Sequence, residues 1–341
     1  MGQTGEDYNI WLEGLDRKNY SPIDSNLEVD VVVVGGGITG VLTAYSLIKA
    51  GKKVALLEKG RLGEWTTDCT TAFLTSLVDT SYSSLAWIYG KETAKLIWDS
   101  HVVAIDGLEN LIKNNNIDCD FKRVSLRVLS PSGKEKEKIE NQATYQPISF
   151  LVGLASKITE LGGLIFEQSE VTSVDRRGET WLLLTKSGHV LRSQDVVLAT
   201  YSPLGEPWHL YFKKAMYRSY VLELIGGKDM IEVWPEGLYV DTQSPYHYFR
   251  VKELLDETQI IFGGADHRAD IPVSRNKSYK ILLADVKKLF GEDLICKRQW
   301  AGPILESIDG LPYMGRDKRT GLYYAFAFSG NGLTYAFLAS K

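Results

Sequence analysis

Three glycines, Gly35, Gly37 and Gly40, stand in the order G-x-G-x-x-G inside "VDVVVVGGGITGVLTAYSLIKAGKKVALLEKG", residues 29–60. Glycines at this spacing suit the close approach of a pyrophosphate. Gly35 permits a tight turn, Gly37 leaves room for the anion beside the backbone, and Gly40 lets a helix pack close to a strand. The anion would sit at a helix N-terminus, where free N–H groups and the helix dipole favour negative charge. Glu58 follows at the remove expected of an acid that accepts hydrogen bonds from an adenosine ribose. Its charge disfavours a 2′-phosphate, so NADP does not fit.

The elements that must position these residues are legible around them. "VDVVVVG" is a β-branched run suited to a strand buried on both faces. "ITGVLTAYSLIKAG" carries Ile38, Leu42, Tyr45 and Leu47–Ile48 at helical spacing and stops at Gly51. "KKVALLEKG" is a second strand, so the whole is a βαβ unit. "RLGEWTTDCTTAFLTS", residues 61–76, is dense in threonine; its hydroxyls and backbone N–H groups could bond a pyrophosphate, a ribityl chain or the edge of a flavin. Far downstream, "GLYYAFAF", "SGNG" and "LTYAFLAS" read as strand, glycine turn and helix start. A helix N-terminus aimed at a flavin pyrimidine would stabilise negative charge on the reduced ring.

The glycine motif, "EKGR", the threonine-rich loop and "IDGLPYMGRDKRTGLYYAFAFSGNGLTYA" together resemble the D-amino-acid-oxidase-like FAD-dependent oxidoreductases, which include glycine and sarcosine oxidases. The wording near the end is similar to bacterial members that often carry a C-terminal Rieske domain. The resemblance covers about residues 28–341, firm at both ends and loose in the middle. It implies an α/β fold with a Rossmann-like FAD-binding domain and a second domain of antiparallel sheet plus helix. It implies a cofactor set of Gly35, Gly37, Ile38, Thr39, Gly40, Glu58, Lys59, Arg61, Thr66, Thr67, Thr70 and Thr71. Val171, Thr200, Gly330, Asn331, Gly332, Leu333 and Thr334 complete that set. The implied activity is oxidation of a C–N bond in a small amine or amino acid by hydride transfer to the flavin. Electrons would go on to oxygen or an acceptor protein. A 2-hydroxy-acid dehydrogenase on the same fold, or a flavin-binding electron relay or truncated remnant, are the alternatives.

Flavin amine oxidation needs positioning more than acid–base machinery. In "PYHYFR" the alternation puts Tyr246, Tyr248 and Arg250 on one face, where an arginine beside tyrosine hydroxyls could grip a carboxylate. "GGADHRAD" sets His267 just after a strand, where it could take a proton. Arg250, His267 and Tyr248 are therefore the catalytic candidates, with Tyr217, Tyr220 and Trp300 behind them. The family attaches flavin in some members through a cysteine near the C-terminal motif. Cys296 is near, but Trp300 takes that place, so non-covalent FAD is expected. Amino-acid oxidases usually show an arginine on the strand before "DGLP"; Arg298 is out of step, which puts an α-amino-acid substrate in doubt.

The expected organisation is an N-terminal arm (1–27), a discontinuous FAD-binding domain (28–120, 145–206 and 295–341) and a substrate domain (121–144 and 207–294). A net charge of −4 over 341 residues, without basic clusters, gives no reason to expect nucleic acid. Cys69, Cys119 and Cys296 are too far apart for a disulfide framework or a metal site, and a reducing, cytoplasmic setting fits. The glycines that interrupt residues 29–47 argue against a membrane span, and the polar N-terminus is unlike a secretory signal. Lys341 falls within two turns of the last helix's start, which reads as a truncation.

Overall fold

The computed structural model describes residues 10–201, 204 and 213–341. Two eight-stranded sheets organise the protein. The first contains β1 (Leu27–Val34), β2 (Val54–Leu57), β6 (Leu164–Phe166), β7 (Val171–Arg177), β8 (Thr180–Thr185), β9 (Val190–Leu198), β15 (Tyr313–Arg316) and β16 (Tyr323–Phe326). Its order is β15-β16-β9-β1-β2-β6, with β8 and then β7 extending from the first half of β9. The β9-β1-β2-β6 centre and the β16–β9 pair are parallel. Val31, Val32 and Val33 of β1 are almost wholly buried, as a central strand covered on both faces requires.

The second sheet contains β3 (Phe73–Leu74), β4 (Lys122–Leu129), β5 (Glu135–Thr144), β10 (Lys214–Gly227), β11 (Gly237–Asp241), β12 (Tyr248–Glu253), β13 (Glu257–Arg268) and β14 (Ile295–Ser307). It runs β14-β10-β13-β12-β11-β4-β5-β3, antiparallel except for β11 on β4. β14 begins where the sequence reading returns the chain to the cofactor domain, yet its hydrogen bonds go to β10 of the second sheet. The chain rejoins the first sheet only at β15. The expected boundary at 206/207 lies outside the described residues.

The helices are α1 (Ile38–Lys49), α2 (Tyr82–Tyr89), α3 (Lys91–Asn114), α4 (Pro147–Glu160), α5 (Met230–Val233), α6 (Arg275–Phe290) and α7 (Gly332–Ala339). α1, α3, α4 and α7 share one core with Val221, Ile261 and Trp300 from one face of the second sheet. The opposite face of that sheet packs Tyr220, Leu222 and Phe262 on Tyr279 and Leu282 of α6. Trp11 of the N-terminal arm is buried in the shared core and donates from Nε1 to the Thr70 carbonyl at 2.8 Å. No helix among the described residues is long and apolar enough to cross a membrane.

Candidate active site

β1 delivers the chain into the glycine turn, and its neighbours leave no space there for side chains. Gly35 has φ 109°, and a Cβ on it would stand 2.5 Å from the Ala199 carbonyl oxygen. Gly37 precedes α1 without supplying a side-chain cap. The Ile38 amide donates to Thr67 Oγ1 at 3.2 Å, which brings the threonine loop over the start of α1. Glu58, buried at the end of β2, accepts from the Gly36 amide through Oε2 (2.6 Å) and from the Gly60 amide through Oε1 (2.8 Å). Both of its oxygens thus hold the glycine turn against the loop.

The second turn lies between β16 and α7. The Gly330 amide donates to Asp79 Oδ2 at 2.8 Å, and Asn331 Nδ2 donates to the Leu77 carbonyl at 2.7 Å. The Thr334 hydroxyl meets His101 Nδ1 of α3 at 3.1 Å. Burial pushes the His101 ring down to about 4, so it is neutral at pH 7. α7 also starts without a side-chain cap, leaving N–H groups of its first turn for a ligand.

Both turns open on one cleft with about 1040 Å³ of empty space, part of it open to solvent. Gly37, Ile38, Thr39, Thr66, Thr67, Thr70, Thr71, Gly330, Gly332 and Leu333 line it. Gly35, Gly40 and Glu58 frame its first turn; Asn331 and Thr334 brace the second. Thr200 sits between Ala199 and Tyr201, which both line the cleft. Lys59 instead lies over the Trp65 ring, and Arg61 bonds Asn19 and approaches Glu167. Val171 is buried at the start of β7, off the lining.

The second sheet supplies Ser219 and Val221 of β10 and Gly302 and Ile304 of β14 to the same cleft. Trp300 Nε1 donates to the Cys69 carbonyl at 3.0 Å, tying β14 to the threonine loop. The three catalytic candidates do not converge. The Tyr248 hydroxyl lies 2.6 Å from Ser219 Oγ, beside the cleft. Arg250 shares that face but is only 4 % exposed, stacks on Trp11 and reaches the Tyr145 carbonyl at 3.5 Å. Burial lowers its guanidinium to about 10. His267 is on the opposite face, with Nε2 2.9 Å from the Tyr220 hydroxyl. The cause is a bulge: Tyr220 pairs with Gly264 but Arg218 with His267, so β13 holds one extra residue around Ala265, whose φ is 54°. Asp266 takes the cleft-side position instead.

Arg298, also considered, pairs with Glu223 and Glu13. Cys296 is exposed and off the lining, whereas Cys69 lies on it. Sequence reasoning missed Asp79 and His101, which hold the second turn, and Tyr201, which lines the cleft.

The donor set fits a flavin dinucleotide. Two helix starts whose N-cap residues supply no side-chain cap meet at one cleft. Tyr201 and Ser329 line it with buried hydroxyls that have no hydrogen-bond partner among the described residues, as groups waiting for a polar ligand would. A Rossmann-type sheet joined to a largely antiparallel second sheet, with a cleft fed by both, defines a flavin-dependent oxidoreductase fold. The chain belongs to the FAD dependent oxidoreductase (DAO) family, whose model matches residues 30–146 and 139–341. It is similar to the Rieske 2Fe-2S iron-sulfur protein YhfW of Bacillus subtilis, at 26 % identity over 97 % of this chain and 70 % of that one. It is also similar to gamma-glutamylputrescine oxidoreductase of Escherichia coli, at 24 % identity over 94 % of this chain and 85 % of that one. Among solved structures, glycine oxidase from Geobacillus kaustophilus shares the fold with a TM-score of 0.75 and 19 % identity, covering 92 % of this chain and 93 % of that one.

Proposed function

We propose that this protein oxidises the C–N bond of a small amine or amino acid, with FAD held non-covalently in the cleft. The observation that carries the reading is that Gly37 and Gly332, 295 positions apart in the sequence, line one cavity closed over by the second sheet. The chemistry FAD would supply when bound is a two-electron acceptor for the hydride on the carbon bearing the nitrogen; the N–H proton would leave to water, and hydrolysis of the imine would give a carbonyl compound and free amine. The α1 N-terminus and the threonine loop would hold the pyrophosphate, and Glu58 the adenosine ribose. The α7 N-terminus would favour negative charge at the isoalloxazine end. Ser219, Val221, Gly302 and Ile304 would form the wall against which substrate is positioned.

Gamma-glutamylputrescine oxidoreductase and glycine oxidase among the relatives support a nitrogen-bearing substrate. Oxygen or an acceptor protein would take the electrons onward. The test is the absorption spectrum. The purified protein should be yellow, release its flavin on acid precipitation and bleach anaerobically with an amine. A colourless protein that takes up no FAD, or one that no amine or amino acid bleaches, would overturn the reading.

A further inference from the structure

Resting on that reading, the N-terminal arm has a part in holding the cofactor. Thr66, Thr67, Cys69 and Thr70 of the threonine loop line the cleft. From Arg61 to Ala72 that loop forms neither helix nor strand. Trp65 (φ 81°) and Ala72 (φ 59°) take a left-handed backbone conformation that residues with side chains disfavour. A segment built this way depends on its neighbours for its shape.

The arm grips it at both ends. Near the start, Arg17 Nη1 donates to the Leu62 carbonyl at 3.1 Å, and Arg61 Nη2 donates to Asn19 Oδ1 at 2.6 Å. Buried Glu167 accepts the Leu62 amide on Oε1 (2.8 Å) and the Tyr20 amide on Oε2 (3.1 Å), so one carboxylate joins loop and arm. At the far end, Trp11 Nε1 donates to the Thr70 carbonyl at 2.8 Å. Thr66 and Thr67 lie between these two grips.

Trp11 is itself anchored. Its carbonyl accepts from Gln146 Nε2 at 2.7 Å, while Gln146 Oε1 caps α4 through the Ser149 amide at 2.6 Å. Its buried ring lies 5.3 Å from the Arg250 guanidinium, a cation–π contact in a desolvated place. The arm between these anchors has little structure of its own. Its one helical turn is Ile10–Leu12, and Glu13, Gly14, Asp16 and Lys18 are exposed. Its place is therefore set by the loop it holds. A contact that favours the ligand-holding shape of the loop is favoured in return by the ligand.

We propose that Trp11 is a positioning residue of the cofactor site, and that the arm from Ile10 to Ile23 and FAD reinforce one another's binding through the threonine loop.

The experiment digests the unmodified protein with trypsin, with its FAD bound and after the FAD has been removed, following cleavage after exposed Lys18 by the mass of the product. FAD should slow that cut at least fivefold. In fluorescence titrations of the apoprotein, Trp11→Phe keeps an aromatic ring over Arg250 but loses the N–H, and should raise FAD half-saturation about fivefold. Trp11→Ala also loses the ring and should raise it further. A merely structural tryptophan would lower the melting temperature with and without FAD alike and leave half-saturation where it was. Cleavage at Lys18 indifferent to FAD, or half-saturation unmoved in the variants, would overturn the proposal while leaving the flavin assignment standing. The digestion decides without any variant should the substitutions fail to fold. A protein that takes up no FAD would overturn both.

Discussion

A Cβ built on Gly40 would stand 1.8 Å from the carbonyl oxygen of Gly35. The first turn of α1 is thus pressed on the end of β1 at a distance only glycine allows, and that approach aims the helix N-terminus into the cleft. Gly40→Ala should force the helix off the strand, costing about 3 kcal/mol of stability as an overpacked core does. FAD content on purification should fall with it. Chemical denaturation and the ratio of flavin to protein absorbance check both, and a Gly40→Ala variant that purifies with full flavin would refute this account of the turn.

Glu58 holds two backbone amides, buried Gly36 and half-buried Gly60, one with each carboxylate oxygen. Glu58→Ala leaves the Gly36 and Gly60 N–H groups unpaired, at about 1–3 kcal/mol each. Glu58→Gln keeps one acceptor and should lose roughly half as much. Both should also weaken FAD, measured by fluorescence titration of the apoprotein. Equal stability of the two variants would show that the second hydrogen bond contributes nothing.

Asp68 sits in the threonine loop at 3 % exposure, and burial pushes its carboxyl up to about 6 against a partial offset from Cys69. A raised acid favours folding below the unfolded value and loses that contribution as pH rises through the folded one. The gap corresponds to about 3 kcal/mol. Asp68→Asn should match the parent near pH 4, gain steadily to pH 6 and remain about 3 kcal/mol more stable at pH 7. Urea unfolding across that range gives the curve; a pH-independent difference would contradict it.

His247 bridges Asp241 of β11 and Asp285 of α6, at 2.7 and 3.3 Å. Burial works against its charged form, but the Asp241 hydrogen bond and the two negative charges outweigh burial and raise its value. The contribution to stability is complete below the ordinary histidine value of about 6.5 and fades as pH rises through the folded one. Melting temperatures from pH 5.5 to 8.5 should fall in the parent and lose that slope in His247→Gln. A retained slope would assign it elsewhere.

Arg250→Met tests the carboxylate clamp directly. With the guanidinium against Trp11 and the Tyr145 carbonyl, off the cleft lining, the substitution should leave half-saturation by amines within about twofold. A tenfold loss would put Arg250 back in the site.

The cofactor half was legible because its determinants are neighbours in sequence. The turn needs Gly35, Gly37 and Gly40 within six positions, and the β-branched run before them can be read without knowing any partner. The substrate half was not, because its face is set by register. Counting by twos from Gly263 puts His267 beside the cleft, and a single αL residue, Ala265, reverses that. Asp79 and Gly330 meet from two distant segments, so no window of sequence contains both. Arg250 was placed on the correct face, but Trp11, 239 positions earlier, decides what it touches.

The rim contacts of Asp79 with Gly330 and of Leu77 with Asn331 join segments some 250 positions apart. A nascent polypeptide emerging from the ribosome therefore displays the glycine turn long before its opposite wall exists. Loop closure over that span delays completion of the cleft. Both walls of the cleft therefore exist together only once residues 330–334 have joined the fold.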